Sequence, residues 1–368
     1  MVPGGGGGPG GGTGPRPRRG RAGGRCPGRT DLRLIRGRRR GRTDGRIRPV
    51  RHLNLRLLSL LAVPPVLWAG NAVVGRLVVD SIGPMWLNVA RWLVAFAILL
   101  PLGRRAVAGR AAWRRIMDRW PYLAVLGLLG VGTYNALQYL ALRTSTPVNV
   151  TLIASSLPVW SMILGALFYG THPNRMQVGG AALSLGGVAT VLSRGDVQAL
   201  QQIRLVEGDL LMLAAIVGWA LYSWMLVRPP AHMRGAARPD WTWAEFLVAQ
   251  CVFGIGWTFV GAGLGEWLIP PVPTRWSWGL VAAILFVAMG PSVVAYRSWG
   301  LAVAEAGPGM AAIFYNLTPL LAALMSAAVI GEGPQLYHGI AFGLIVAGIL
   351  LSSFGMPRLP HAEGPGRG

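Results

Sequence analysis

The helix breakers of one apolar stretch recur in a second. Between about Ala136 and Thr190 the chain carries Pro147, Pro158, Gly170, Pro173 and Gly187; between about Arg297 and Leu351 it carries Pro308, Pro319, Gly331, Pro334 and Gly348, at one offset (308 − 147 = 319 − 158 = 348 − 187 = 161). Residue identity between the copies is otherwise low, so what recurs is the placement of breaks within apolar helices. At membrane depth a broken backbone survives only where protein or a wet cavity satisfies the freed groups. Duplicated folds of this kind place a solute site at the bilayer midplane, where the halves meet.

Composition points the same way. Hydrophobic residues make up 52% and charged residues 13% of the 368, about half the charge of a typical soluble domain. Apolar runs long enough to cross about 30 Å of hydrocarbon as helices fall near 57–79, 84–102, 121–142, 147–169, 175–193, 207–227, 243–264, 278–302, 308–330 and 335–354. The expected fold is therefore an all-α integral membrane protein of ten transmembrane helices, in two five-helix repeats over 57–193 and 207–354. An odd number of spans per repeat makes the second enter the membrane in the opposite sense, so the repeats are expected to be inverted.

Residues 1–52 hold 15 Arg against Asp31 and Asp44, with no lysine anywhere in the chain. A Gly/Pro/Arg composition cannot build a core, and this stretch, like 355–368, is expected to be disordered. The tail reads as a cytoplasmic positive flank or as the product of a start assigned too far upstream in a GC-rich gene; nucleic acid is not an expected partner. It lacks the apolar core and cleavage site of a signal peptide. With the amino terminus inside, the expected cytoplasmic joints and carboxyl tail carry twelve Arg, including Arg104, Arg105, Arg110, Arg114, Arg115 and Arg119, and the opposite face carries Arg143, Arg194, Arg204 and Arg275. That asymmetry follows the positive-inside rule and predicts a multi-pass protein of the cell (inner or plasma) membrane with both termini cytoplasmic.

Candidate site residues lie in mid-span. Trp68 and Asn71 recur as Trp219 and Tyr222 (219 − 68 = 222 − 71 = 151), each pair sharing one helix face. Tyr134, Asn135 and Gln138 form a polar cluster, and Tyr296 occupies the place of Asn135 in the other copy (296 − 135 = 161). Such amides and phenols suit amino or carboxyl groups of a small solute, or hydrogen bonds between helices. Ser155, matched by Asn316, precedes Pro158, matched by Pro319; a proline frees a carbonyl of the preceding turn, so these prolines are expected to act as hinges or line the site. Arg91 lies inside the second span, where a charge normally faces a bundle interior; Arg297, nearer an end, suits snorkelling. The carboxylates, Asp209 and Glu245 among them, fall at span ends. Cys26 and Cys251 suggest neither a disulfide nor a metal site, and no metal or other cofactor is expected. Gly339, Gly343 and Ala347 at four-residue spacing, and Gly180 with Ser184, are expected to let helices pack closely, with a contact between two copies of the chain as the lesser reading.

The runs Tyr139-Leu-Ala-Leu-Arg-Thr-Ser-Thr-Pro-Val, Leu157-Pro158-Val159, Trp299-Gly-Leu-Ala, Asn316-Leu-Thr-Pro319 and Gly331-Glu332 resemble the two EamA domains of the drug/metabolite transporter superfamily. Trp68-Ala-Gly-Asn71, Gly208-Asp209 and Trp219-Ala-Leu-Tyr222 resemble the starts of the repeats. One departure is visible: the Gly-Glu pair of the second copy is Gly170-Thr171 in the first. The resemblance implies a ten-helix transporter, usually an exporter of amino acids or other small metabolites, working by alternating access and partnered by a small-molecule substrate and the lipid bilayer. Two alternatives stay open: an uptake or exchange carrier for an anionic or sugar-linked solute, which needs several arginines on the site, and an intramembrane lipid-modifying enzyme, which needs a buried polar triad that the sequence lacks.

Overall fold

The computed structural model describes residues 54–354 except 79, 197, 199–200, 202–204, 269–271 and 331–332. The expectations for the two tails, for Arg204 and for the Gly331-Glu332 pair lie outside the described residues.

Every regular element among the described residues is helical. In the first half these are α1 (Leu55–Leu77), α2 (Pro84–Gly103), a short amphipathic α3 (Gly109–Met117), α4 (Trp120–Ala141), α5 (Pro147–Ala154), α6 (Leu157–Tyr169) and α7 (Arg175–Leu192). In the second they are α8 (Glu207–Val227), α9 (Trp243–Leu268), α10 (Trp278–Ala306), α11 (Pro308–Tyr315), α12 (Leu317–Ile330) and α13 (Leu336–Ser353). Local chemistry sets several ends. Asn54 caps α1 by accepting from the Leu57 amide at 2.8 Å, and Asn174 and Gln177 cap each other's backbone at the start of α7, satisfying donors a helix start leaves open. Gly170 closes α6 at φ 61°, a left-handed conformation that glycine adopts without a Cβ penalty.

Nine stretches among the described residues are long and apolar enough to cross a membrane, one of them formed by α5 and α6 together and another by α11 and α12. The expected fifth span, α7, is a helix of 18 residues but is not among the nine. It carries Arg175, Gln177 and four glycines, and it packs most extensively on α13.

The packing is organised in pairs. Helix α2 lies on α9 and α7 on α13, while α8 packs on α4 and α6, and α1 on α10 and α12. At the α7/α13 contact the backbones nearly touch: a Cβ on Gly348 would come 2.5 Å from the Gly180 carbonyl oxygen, and one on Gly187 would come 2.8 Å from that of Ala341. With the offset of 161, Gly180 corresponds to Ala341 and Gly187 to Gly348, so one contact is made twice with the roles exchanged.

The small-residue stripe expected on the last helix is the wrong one. Gly339, Gly343 and Ala347 are exposed, and a Cβ on either glycine would meet nothing within 4 Å. The buried stripe is Ala341, Ile345, Gly348 and Ser352. Helix α13 carries small residues on both faces, and only the glycines of α7 decide which one packs. Gly348→Leu should therefore cost about 1–3 kcal/mol through overpacking, read as a lower thermal midpoint of the purified protein, while Gly339→Leu leaves the midpoint unchanged.

Candidate functional site: an aromatic and arginine cluster between the halves

The fourth span of each half is broken at one place. Turn residues Ser155 and Ser156 separate α5 from α6, and Asn316 separates α11 from α12; 155 + 161 = 316. Buried Pro158 and Pro319 follow at once. The third span of each half carries a second irregularity that the sequence reading missed. Residues Leu128–Thr133 of α4 and Ala288–Val294 of α10 are π-helical, a form that loosens the backbone ladder and recurs at functional sites. Gly130 and Pro291 stand at the matching position (130 + 161 = 291), so a glycine in one copy and a proline in the other was the available signal.

Each half donates a side-chain hydrogen bond to a backbone carbonyl in the other half's π segment. Trp68 Nε1 donates to the Pro291 carbonyl at 3.2 Å, and the Tyr296 hydroxyl donates to the Gly130 carbonyl. These aromatics belong to one cluster. Trp219 is its hub, with ring centroids 5.4 Å from Trp68, 5.6 Å from Tyr134, 5.0 Å from Tyr222, 5.4 Å from Tyr296 and 5.7 Å from Trp299, distances at which aromatic pairs attract. Trp68 also meets Trp299 at 5.3 Å and Tyr315 at 5.8 Å, and the Tyr134 and Tyr315 hydroxyls are 2.6 Å apart. The Trp68/Trp219 contact joins equivalent residues of the two repeats.

Arg91 lies one ring away from this cluster. It is 4% exposed, its Nε donates to Ser292 Oγ at 2.6 Å and its Nη1 to Asn71 Oδ1 at 3.4 Å. Ser292 belongs to the π segment of the opposite half. The guanidinium also stands over the Trp92 ring, which meets Tyr296 at 5.0 Å. Every hydrogen bond Arg91 makes among the described residues thus goes to a neutral group, although a buried cation is costly without a counter-charge. Arg297 behaves differently: it is exposed, and its guanidinium lies 5.0 Å from the Trp243 ring centroid.

The other expected site residues are spread around this centre. Asn135 donates to Asn88 Oδ1 at 3.3 Å, and Asn88 donates to the Val131 carbonyl at 3.4 Å. Asn316 donates to Ser184 Oγ at 3.0 Å, while its Oδ1 is buried without a partner, as is Trp219 Nε1. Gln138 is half-buried. Ser155 does not join the cluster; its hydroxyl turns back to the Thr151 carbonyl at 2.8 Å. Ser292, Trp299 and Tyr315 were not singled out from sequence, although Trp299 occupies the place of Gln138 (138 + 161 = 299). No group of three His, Cys, Asp or Glu able to hold a metal occurs among the described residues.

A family model described as the EamA-like transporter family matches residues 56–193 and 206–354, the two halves that exchange these contacts. The chain belongs to this family. It is a multi-pass membrane transporter of the EamA-like type, and several curated transporters resemble it along most of their length. An uncharacterized transporter of Archaeoglobus fulgidus is 25% identical over 303 residues, covering 82% of this chain and 98% of that one. A probable terminal-alkyne amino-acid exporter of Streptantibioticus cattleyicolor is 24% identical over 318 residues, covering 83% and 97%. The uncharacterized inner membrane transporter YedA of Escherichia coli is 22% identical over 310 residues, covering 83% and 93%. A crystal structure superposes with a TM-score of 0.63 at 19% identity, covering 81% of this chain and 96% of that one, which shows a common fold.

In this EamA-like transporter the bond from Tyr296 to Gly130 should contribute to stability as well as to the site. Tyr296→Phe, nearly isosteric, removes a buried hydrogen bond between the halves and should cost about 0.5–1.5 kcal/mol. Tyr139→Phe removes a hydroxyl with no such bond and should leave the thermal midpoint in detergent unchanged.

Proposed function

We propose that this chain exports a small carboxylate-bearing or zwitterionic metabolite, such as an amino acid, by alternating access between two inverted five-helix halves. The observation that carries the proposal is Arg91: a cation buried in a membrane span, bonded to neutral Asn71 and Ser292, is poised for an anionic group brought by the solute. The rings of Trp68, Trp219 and Trp299, in the cluster that Trp92 separates from Arg91, suit an ammonium group or an apolar side chain. Export is favoured by the name of the Streptantibioticus cattleyicolor relative. Arg91 is a single charge, with Gln250 donating only within its own half to the Phe246 carbonyl and accepting from Tyr222; a phosphorylated or sugar-linked solute would call for several arginines, so uptake or exchange of such a compound fits less well.

Inversion is supported by the Gly180/Gly348 and Gly187/Ala341 exchange and by contact between the equivalent Trp68 and Trp219. It requires α7 to be a tenth span. Side-by-side burial of α7 against α13, itself long and apolar enough to cross, supports that placement, as does the arginine asymmetry that sets both termini in the cytoplasm. Reporter fusions at Gly109, Gly195, Gly235 and Arg275 should therefore read inside, outside, inside and outside in turn. Two consecutive fusions on one side would remove the inverted repeat.

Function is tested by untargeted metabolite profiling of cells with and without the protein. A carboxylate-bearing compound should accumulate outside expressing cells. With that compound, Arg91→Gln, which keeps hydrogen-bonding capacity but removes the charge, should lower transport about tenfold to a hundredfold, because a hydrogen bond to a charged group contributes about 1.5–3 kcal/mol. Normal transport by a well-expressed Arg91→Gln protein would contradict the assignment.

A further inference from the structure

Asp209 lies second after the first residue of α8, a place where an acidic side chain ordinarily does no more than cap its own helix. Here it does so with one bond, accepting from the Val206 amide at 2.9 Å on Oδ2. Its other bonds leave the second half altogether. Ser145 Oγ donates to Oδ1, and Asn149 Nδ2 donates to Oδ2 at 3.3 Å; Ser145 lies in the joint between the third and fourth spans of the first half and Asn149 in the first turn of α5. The carboxylate is 4% exposed, as buried as Arg91, and its three hydrogen bonds all come from neutral donors.

The neighbouring glycine brings the two halves together at the same point. The Gly208 amide donates to Thr144 Oγ1 at 2.9 Å, and a Cβ on Gly208 would collide with the Ala141 carbonyl and the Thr144 hydroxyl. The start of α8 is thus pressed against the end of α4 with no room for a side chain.

The repeat supplies a comparison within the same molecule. The positions equivalent to Asp209, Ser145 and Asn149 are Leu58 (209 − 151), Ala306 (145 + 161) and Met310 (149 + 161). Where the first half has hydroxyl and amide donors to a carboxylate, the second has Ala306 and Met310, and α1 has a leucine. The equivalent joint of the other half therefore lacks the residues for oriented hydrogen bonds to a buried charge.

We propose that Asp209, with Ser145 and Asn149, is a latch that closes the path to one face of the membrane, the outer face in the topology above, and that it must part in every transport cycle. The inference rests on the alternating-access reading. Asp209 acts as a positioning residue: it holds α8, and with it Trp219 three turns further on, against the first half while that face is shut. Directional hydrogen bonds lose their energy within a fraction of an ångström of separation, whereas apolar contact loosens gradually, so this face is the one that opens as a discrete step.

The test uses the full-length protein with Cys26 and Cys251 replaced by Ser. Arg143→Cys and Glu207→Cys, both at exposed positions beside the latch, leave Thr144, Asp209, Ser145 and Asn149 in place and can be bridged by a short bifunctional maleimide. Bridging should abolish transport in proteoliposomes, while each single-cysteine variant treated with the same reagent transports normally. Bridged protein that transports at the unbridged rate would overturn the latch, because the two ends would never need to part. A reading independent of transport is the bridging rate itself, which should fall several-fold in Asp209→Ala as the ends spend more time apart. An unchanged rate would deny the carboxylate its role. If even the unbridged cysteine-free protein moves no metabolite, it is the transport reading that fails, and the bridging rate still decides whether Asp209 holds the halves together.

Discussion

A backbone carbonyl freed inside a membrane has no water to turn to, and leaving it unbonded costs several kcal/mol. At matching places in its two halves, the π segments around Gly130 and Pro291, each half donates a side-chain hydrogen bond to a backbone carbonyl of the other. The irregular backbone of each half is thereby tied to the other half. The donors are Trp68 and Tyr296, which also build the ring cluster around Trp219. Inter-half contact and the proposed substrate site are consequently built from one set of atoms, so on that proposal a solute entering among the rings disturbs the bonds that hold the halves in register.

Charge is distributed to match. The described spans bury one arginine, Arg91, beside the ring cluster, and two carboxylates, Asp209 and Glu245, at helix starts. Glu245 accepts from the Thr242 amide and serves its own helix, whereas Asp209 reaches into the opposite half. A cation at the centre without a carboxylate partner, and an anion at one rim without a cation, are the arrangement on which the proposed reception of an anionic group at depth and the proposed latch at one entrance both rest.

Much of the fold was legible because proline, glycine and tryptophan report on backbone and packing wherever they stand. Pro158 and Pro319 marked the broken fourth spans, and the shared spacing of Trp68 and Trp219 anticipated a meeting at the centre. The π segments escaped because their two copies use different residues, Gly130 and Pro291, for the same irregularity. The packing face of α13 was misjudged because four-residue spacing of small residues occurs on two of its faces, and only the glycines of α7 choose between them. Asp209 looked like a joint residue because its inter-half partners, Ser145 and Asn149, stand some sixty residues earlier in the chain. Ser155, by contrast, has a hydroxyl that its own helix satisfies, a common fate for serine in an apolar helix that pattern alone cannot reveal.

The central claim is that a solute's anionic group completes the environment of Arg91 between the two halves. A cryo-electron microscopy structure of the protein in lipid nanodiscs with its exported metabolite bound tests this most directly. The account predicts an anionic oxygen of the solute at about 2.7–2.9 Å from the Arg91 guanidinium, with the rest of the molecule against Trp68, Trp219 or Trp299. A solute bound away from the ring cluster, with Arg91 still bonded only to Asn71 and Ser292, would contradict it.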